Sequence, residues 1–150
     1  LIGATAGIDD PDARRARRAS DEDLARRIEA EGVPAFVDRW LDQPLFAGLV
    51  PSAEDLAARR SGSAPGLASS LRLAGTGTMD PPWWDELPRL GRRGLTARVV
   101  VGERDTKFTA LGRRLVEGIG PTATLHTVAG AGHACHLERP VEIARLVLDR

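Results

Sequence analysis

The sequence predicts an α/β fold: a helical segment followed by the closing strands and helices of a parallel sheet. Three observations predict it. Up to about residue 90, apolar residues recur at helical spacing between proline and glycine breakers. After residue 95 the period changes. Two short runs, "TARVVVG" (96–102) and "ATLHTVAG" (123–130), are each followed by a loop and a helix, which makes the βαβα unit from which parallel sheets are built. The opening "LIGATAGIDD" reads as the end of a buried strand running into a loop. The boundaries follow as 1–8 for that strand end and loop, 9–90 for a helical cap, and 91–150 for the βαβα. Two strands do not make a stable sheet alone. Upstream strands, the N-terminal half of the same fold, are therefore expected to be missing from this chain.

Each element has a local reason. Asp10 can cap and Pro11 can open a helix to about Glu31, with Ala16, Ala19, Leu24 and Ile28 as its apolar stripe and Gly32 as its stop. "VPAFVDRWL" (33–41) makes a second helix, ended by "DQP". Ser52 and Asp55 form a capping box for "AEDLAARR". Pro65 opens "GLASSLRLAG", which Gly75 closes. "GTGTMDPPWW" is a loop, with Trp83 and Trp84 placed to pin the exit of the helical segment to the sheet. Beyond the strand at 96–102 a helix is expected near 108–118, and a last one opens at Pro140.

Composition narrows the function. Hydrophobic residues at 42% and charged residues at 28% suit a globular protein rather than a disordered one. Lys+Arg and Asp+Glu balance at 21 each, so nothing points to a nucleic-acid or membrane surface. No apolar run approaches the roughly 18–20 residues needed to span a bilayer, and no charged-then-apolar leader opens the chain. The single cysteine, Cys135, excludes an internal disulfide and fits a reducing cytosol.

Asp105 and His133 fall at equivalent places, each on the loop just beyond a strand. Neighbouring parallel strands lie about 4.8 Å apart, so the two side chains can meet. A carboxylate that holds one ring nitrogen leaves the other to move protons, the acid half of a Ser-His-Asp relay. Gly130 and Gly132 let the second loop turn tightly and bring His133 in close. Separately, Asp105 could be only a helix N-cap and His133 only a loop histidine. Asp before His is the order in α/β-hydrolases, where the serine comes first on a G-x-S-x-G elbow. Ser20, Ser52, Ser61, Ser63, Ser69 and Ser70 all sit in the helical region, none in that context.

On these residues, "VGERDTKF" followed by "GAGHACHLERP" resembles the C-terminal third of α/β-hydrolases. More narrowly, the arginine-rich "ARRARRASDEDLA", "WLDQPLFAGL" and "GLASSLRLAGTGT" resemble the 2-succinyl-6-hydroxy-2,4-cyclohexadiene-1-carboxylate synthase family of menaquinone biosynthesis. The resemblance implies the C-terminal portion of an α/β-hydrolase fold, with a helical cap plus the last two parallel strands and their helices. It implies a cytoplasmic lyase that eliminates pyruvate from a cyclohexene polycarboxylate, with a Ser-His-Asp relay whose serine lies upstream, and with no metal or organic cofactor. Asp105 and His133 match the family's acid and histidine, Arg17 and Arg60 its cap arginines that hold substrate carboxylates, and Trp40 and Phe46 its cap aromatics. Read without the resemblance, the arginines are also what a solvated helix face looks like, and the two aromatics could be core. Lys107 could reach the site or solvate a helix start, and His126, His136 and Cys135 receive no role. An esterase or carbon–carbon bond hydrolase shares the same relay. A binding module without catalysis is the alternative from another class.

Overall fold

Asp10 and Pro11 start the longest helix, as their residue types require. A computed structural model describes residues 1–148. In it, helix α1 spans Pro11–Glu31, the Asp10 carboxylate accepts the Ala13 N–H at 2.7 Å, and Gly32 closes the helix at φ +85°. Helix α2 spans Val33–Leu41, α3 spans Ala53–Arg60 and α4 spans Ala64–Ala74. The Ser52–Asp55 capping box forms in both directions, and the Ser63 hydroxyl caps α4 through the Gly66 N–H. Residues 6–43 and 51–83 make one compact unit. Its core is Ile28, Val33 and Val37, surrounded by Leu24, Phe36, Leu41, Leu56, Leu67 and Leu71.

The buried face of α1 differs from the expected stripe. Ala16 and Ala19 are exposed, and the buried residues are Arg14, Asp21, Ala25 and Ile28. This face is hidden by polar pairing as much as by apolarity. Arg14 donates from one terminal nitrogen to the Ile8 and Asp9 carbonyls (2.8 and 2.7 Å) and from the other to Asp80 (3.1 Å). Of the expected stripe Leu24 and Ile28 do face the core. Hydrophobic period fails only over the first turns, where guanidinium and carboxylate groups are buried in pairs.

The second unit gathers residues 1–5, 44–50 and 84–148. Residues 44–50 and 84–90, expected in the helical segment, thus group with the strands. Helix α5 spans Leu87–Arg92, a short element not anticipated from the sequence. Strands β1 (Ala97–Gly102) and β2 (Ala123–Val128) pair in parallel and in register, Ala97 opposite Ala123 and Gly102 opposite Val128. On the other side of β1, Ile2 forms a parallel bridge with Val100, whose N–H donates to the Leu1 carbonyl at 2.7 Å. Helix α6 (Thr106–Ile119) connects the strands and packs on both. Val100 and Val128 face a core of Ala131, Cys135 and Ile143, while Val99 and Val101 touch α6 at Gly112. A strand covered on both faces reads as an unbroken apolar run, as "RVVVG" does.

The chain continues through a four-residue helix α7 (Cys135–Glu138), unanticipated because it is a single turn, into α8 (Pro140–Leu148). The two tryptophans part company. Trp84 is buried and carries the Arg114 guanidinium of α6 at 3.7 Å from its ring centroid, but Trp83 is exposed, with its backbone N–H donating to the Ala6 carbonyl.

Candidate active site

Because β1 and β2 end in register, the loops that follow them leave the sheet at the same edge. Asp105 stands three residues past Gly102, and His133 five past Val128. The Asp105 carboxylate is 4% exposed and meets His133 Nδ1 at 2.6 Å through Oδ2. Its other oxygen, Oδ1, accepts the Phe108 N–H at 3.1 Å and caps α6. The two readings of Asp105, helix cap and histidine partner, are therefore both true. An ionised carboxylate only accepts, so the shared proton sits on Nδ1 and Nε2 becomes the ring's basic nitrogen.

Backbone proximity puts the histidine there. A Cβ on Gly102 would lie 2.0 Å from the Gly132 carbonyl oxygen, so only glycine lets the end of β1 run this close to the second loop. Gly130 takes φ +63°, which turns that loop back toward β1. Gly3 closes the other flank, the place of a Cβ there being 3.1 Å from His133 Cε1.

The ring is packed by two phenylalanines. Phe108 lies 4.4 Å from it, centroid to centroid and tilted by 45°, and Phe46 stands edge-on at 6.1 Å. A depression of about 370 Å3 opens beside His133, lined also by Pro44, Leu45, Gly48, Thr106 and Lys107. Lys107 is exposed at its rim with its ammonium 5.6 Å from the Phe108 ring. A ring nitrogen backed by a buried carboxylate, in a depression also lined by Lys107 and Arg104, can take a proton from a bound group and return it.

Of the expected site residues, Asp105, His133, Phe46 and Lys107 come together here. Arg17, Arg60 and Trp40 belong to the helical unit. There the Arg17 Nε–H is shared by both oxygens of Asp21 (2.8 and 2.9 Å), and Arg60 donates to Asp38 at 2.5 Å. Trp40 packs against Phe36 at 5.5 Å and lines, with Ala16, Ala19, Leu24, Arg27 and Arg39, an open groove of about 680 Å3. His126 pairs with Thr124 on β2 and His136 is exposed on α7, neither lining the depression beside His133. Burial pushes the Cys135 thiol up from its ordinary value, in keeping with a filler and not a nucleophile. Sequence reasoning missed Phe108 and Glu138. Both are visible as positions, three residues after Asp105 and five after His133, but only their contacts give them meaning.

Loops after parallel strands, an acid after one and a histidine after the next, define a hydrolase-type site on an α/β sheet. The chain belongs to the alpha/beta hydrolase family, whose profile matches residues 1–146. Among curated relatives it is 32% identical over 146 residues to the 2-succinyl-6-hydroxy-2,4-cyclohexadiene-1-carboxylate synthase of Yersinia pestis bv. Antiqua (strain Nepal516), a match covering 97% of this chain and 51% of that one. The synthase of the same name from Yersinia pseudotuberculosis serotype O:3 (strain YPIII) is 31% identical over the same shares. Among solved structures, MenH from S. aureus superposes with a TM-score of 0.88 at 28% identity, covering 99% of this chain and 56% of that one. A carboxylesterase of the thaumarchaeon Nitrososphaera gargenis shares the fold, with a TM-score of 0.67 at 17% identity. The chain thus spans about half the length of the curated relatives it matches. No helix among the described residues is long and apolar enough to cross a membrane.

Proposed function

We propose that this chain carries the acid and histidine of a cytoplasmic lyase that eliminates pyruvate from a succinyl-cyclohexene polycarboxylate in menaquinone biosynthesis. The observation that carries the reading is the 2.6 Å contact of His133 with a buried Asp105, in a chain about one-third identical to synthases of that name. Asp105 holds the ring and its tautomer, and Nε2 of His133 takes the proton from a serine, so that the serine can in turn draw the proton that starts the elimination. That serine lies outside these 150 residues, since none of the six present sits in a G-x-S-x-G context. Phe46 forms an apolar wall beside the ring and Lys107 meets a carboxylate. Arg17 and Arg60, with Trp40, serve the remaining carboxylates and the ring of the substrate. Guanidinium forks suit a polyanion because each binds a carboxylate through two parallel hydrogen bonds.

The test is pyruvate release from the polycarboxylate by the intact protein that contains this chain, run beside hydrolysis of a small neutral ester. Release that disappears in His133→Ala supports the lyase. Ester hydrolysis through His133 without pyruvate release would make the protein a hydrolase, and neither activity would make it a binding module.

A further inference from the structure

We propose that Glu138 is a positioning residue for His133, gripping the backbone one residue before it. The inference rests on the Asp105–His133 relay proposed above. Three consecutive residues after β1 each hold the segment 130–138. Glu103 accepts the Gly130 N–H at 2.8 Å, Arg104 donates its own N–H to the Ala131 carbonyl at 2.9 Å, and Asp105 holds His133 at 2.6 Å. The fourth tie comes from within the segment. The Glu138 carboxylate, 5% exposed, reaches back across the turn, and both of its oxygens lie on the Gly132 N–H, at 2.9 and 3.1 Å.

A carboxylate is costly to bury unless it is matched. Arg104 matches it, its Nη2 donating to Glu138 Oε2 at 3.0 Å. The same guanidinium lies against Gly48, where a Cβ would be 2.6 Å away, in the segment that also carries Phe46. Asp105 alone can fix how the imidazole is rotated, but it cannot fix where the His133 backbone stands. The Gly132 N–H and the Ala131 carbonyl belong to one peptide group, which Glu138 and the Arg104 N–H thus hold from both ends. Restraining that group one residue before His133 restrains the second coordinate. Proton transfer needs both, because a placement error of about 1 Å can cost on the order of 10²-fold in rate.

Reach, not charge, is what the grip requires, and three substitutions in the intact protein separate them. Glu138→Gln keeps an oxygen at the Gly132 N–H. Glu138→Asp keeps the charge but withdraws the oxygens by about 1.5 Å, one carbon–carbon bond. Glu138→Ala removes both. The readouts are kcat and KM for pyruvate release, and the downfield proton resonance of the His133 Nδ1–H···Asp105 hydrogen bond. Gln is expected to retain turnover within about threefold, while Asp and Ala lose about tenfold or more in kcat at nearly constant KM and lose or broaden the resonance. If Ala does not fold, the comparison of Asp with Gln decides. Asp active and Gln inactive would mean that charge balance against Arg104 is what matters, and the proposal falls. It falls too if all three leave kcat and resonance intact, or if kcat, KM and melting temperature decline together in Gln as in Asp. Should His133→Ala itself leave turnover unchanged, the relay is wrong, and the resonance in Glu138→Asp still reports whether Glu138 places the ring.

Discussion

His133 is held at the ring by Asp105 and packed by Phe108 and Phe46, an arrangement in which the neighbours of one imidazole hold it still. In the intact protein, His133→Ala and Asp105→Asn are expected to lower kcat by about 10²-fold or more with little change in KM, since both act in the transition state. Steady-state kinetics checks this, and turnover of His133→Ala within a factor of about two of the parent would end the relay. The arginines require a more careful comparison, because each already has a carboxylate partner. Arg17→Ala leaves Asp21, only 7% exposed, without its guanidinium, and is expected to reduce stability by about 1–3 kcal/mol. Replacing Arg17 and Asp21 together removes that effect. If Arg17 and Arg60 meet a polyanion, the double variant and Arg60→Ala should still lose about 2–5 kcal/mol in kcat/KM for the polycarboxylate. Hydrolysis of a neutral ester should hardly respond. Lysine at either position restores only part, as a point charge does not reproduce a bidentate fork. Equal losses on both substrates would assign the arginines to the fold.

Among the elements, the meeting of β1 with the loop after β2 is the most constrained. Gly102→Ala must push a backbone carbonyl away, so a destabilisation of about 1–3 kcal/mol or more is expected, read by chemical denaturation. In the helical unit, Arg72 of α4 clamps two carboxylates of α1, Glu22 at 2.7 Å and Glu29 at 2.6 Å. Their hydrogen bonds to Arg72 hold both glutamates below the ordinary value of 4.5. Groups with depressed folded values contribute stability above their unfolded value and lose it as pH falls through the folded one. The clamp should therefore be fully present above about pH 5 and fade below 4.5. Arg72→Met should flatten that part of the melting temperature against pH, and an unchanged slope would remove the clamp. These elements also show what the sequence could and could not tell. Helices whose starts carry Asp10–Pro11, Ser52–Asp55 or Pro65 were legible, because caps and opening prolines act between neighbours in the chain. The Asp105–His133 pair was legible for a related reason, since parallel register turns sequence position into place. The burial of Arg14 and Asp21 on α1 and the grip of Glu138 were not, because each depends on which polar groups find a distant or folded-back partner.

The whole chain leaves a good deal of apolar surface uncovered. Leu1, Leu95, Val147 and Leu148 are all at least half exposed, and β1 is flanked on one side only by the bridge at Ile2. Expressed by themselves, these 150 residues are expected to bind a hydrophobic dye and melt broadly, because two paired strands with one bridge form a marginal sheet. A sharp, cooperative transition from a monomeric sample would contradict this. The double duty of Asp105 matters for how variation in such a protein is read. Asparagine is as good a helix cap as aspartate, so Asp105→Asn should accumulate in cells at the level of the parent while its product does not form. Alanine at the same position should lower both. A survey that scores variants by how much protein survives would pass the first as harmless, and one that scores growth would condemn it. The disagreement between those two scores, position by position, is a genetic signature of chemistry, and at residue 105 it separates a carboxylate's work on a histidine from its work on a helix.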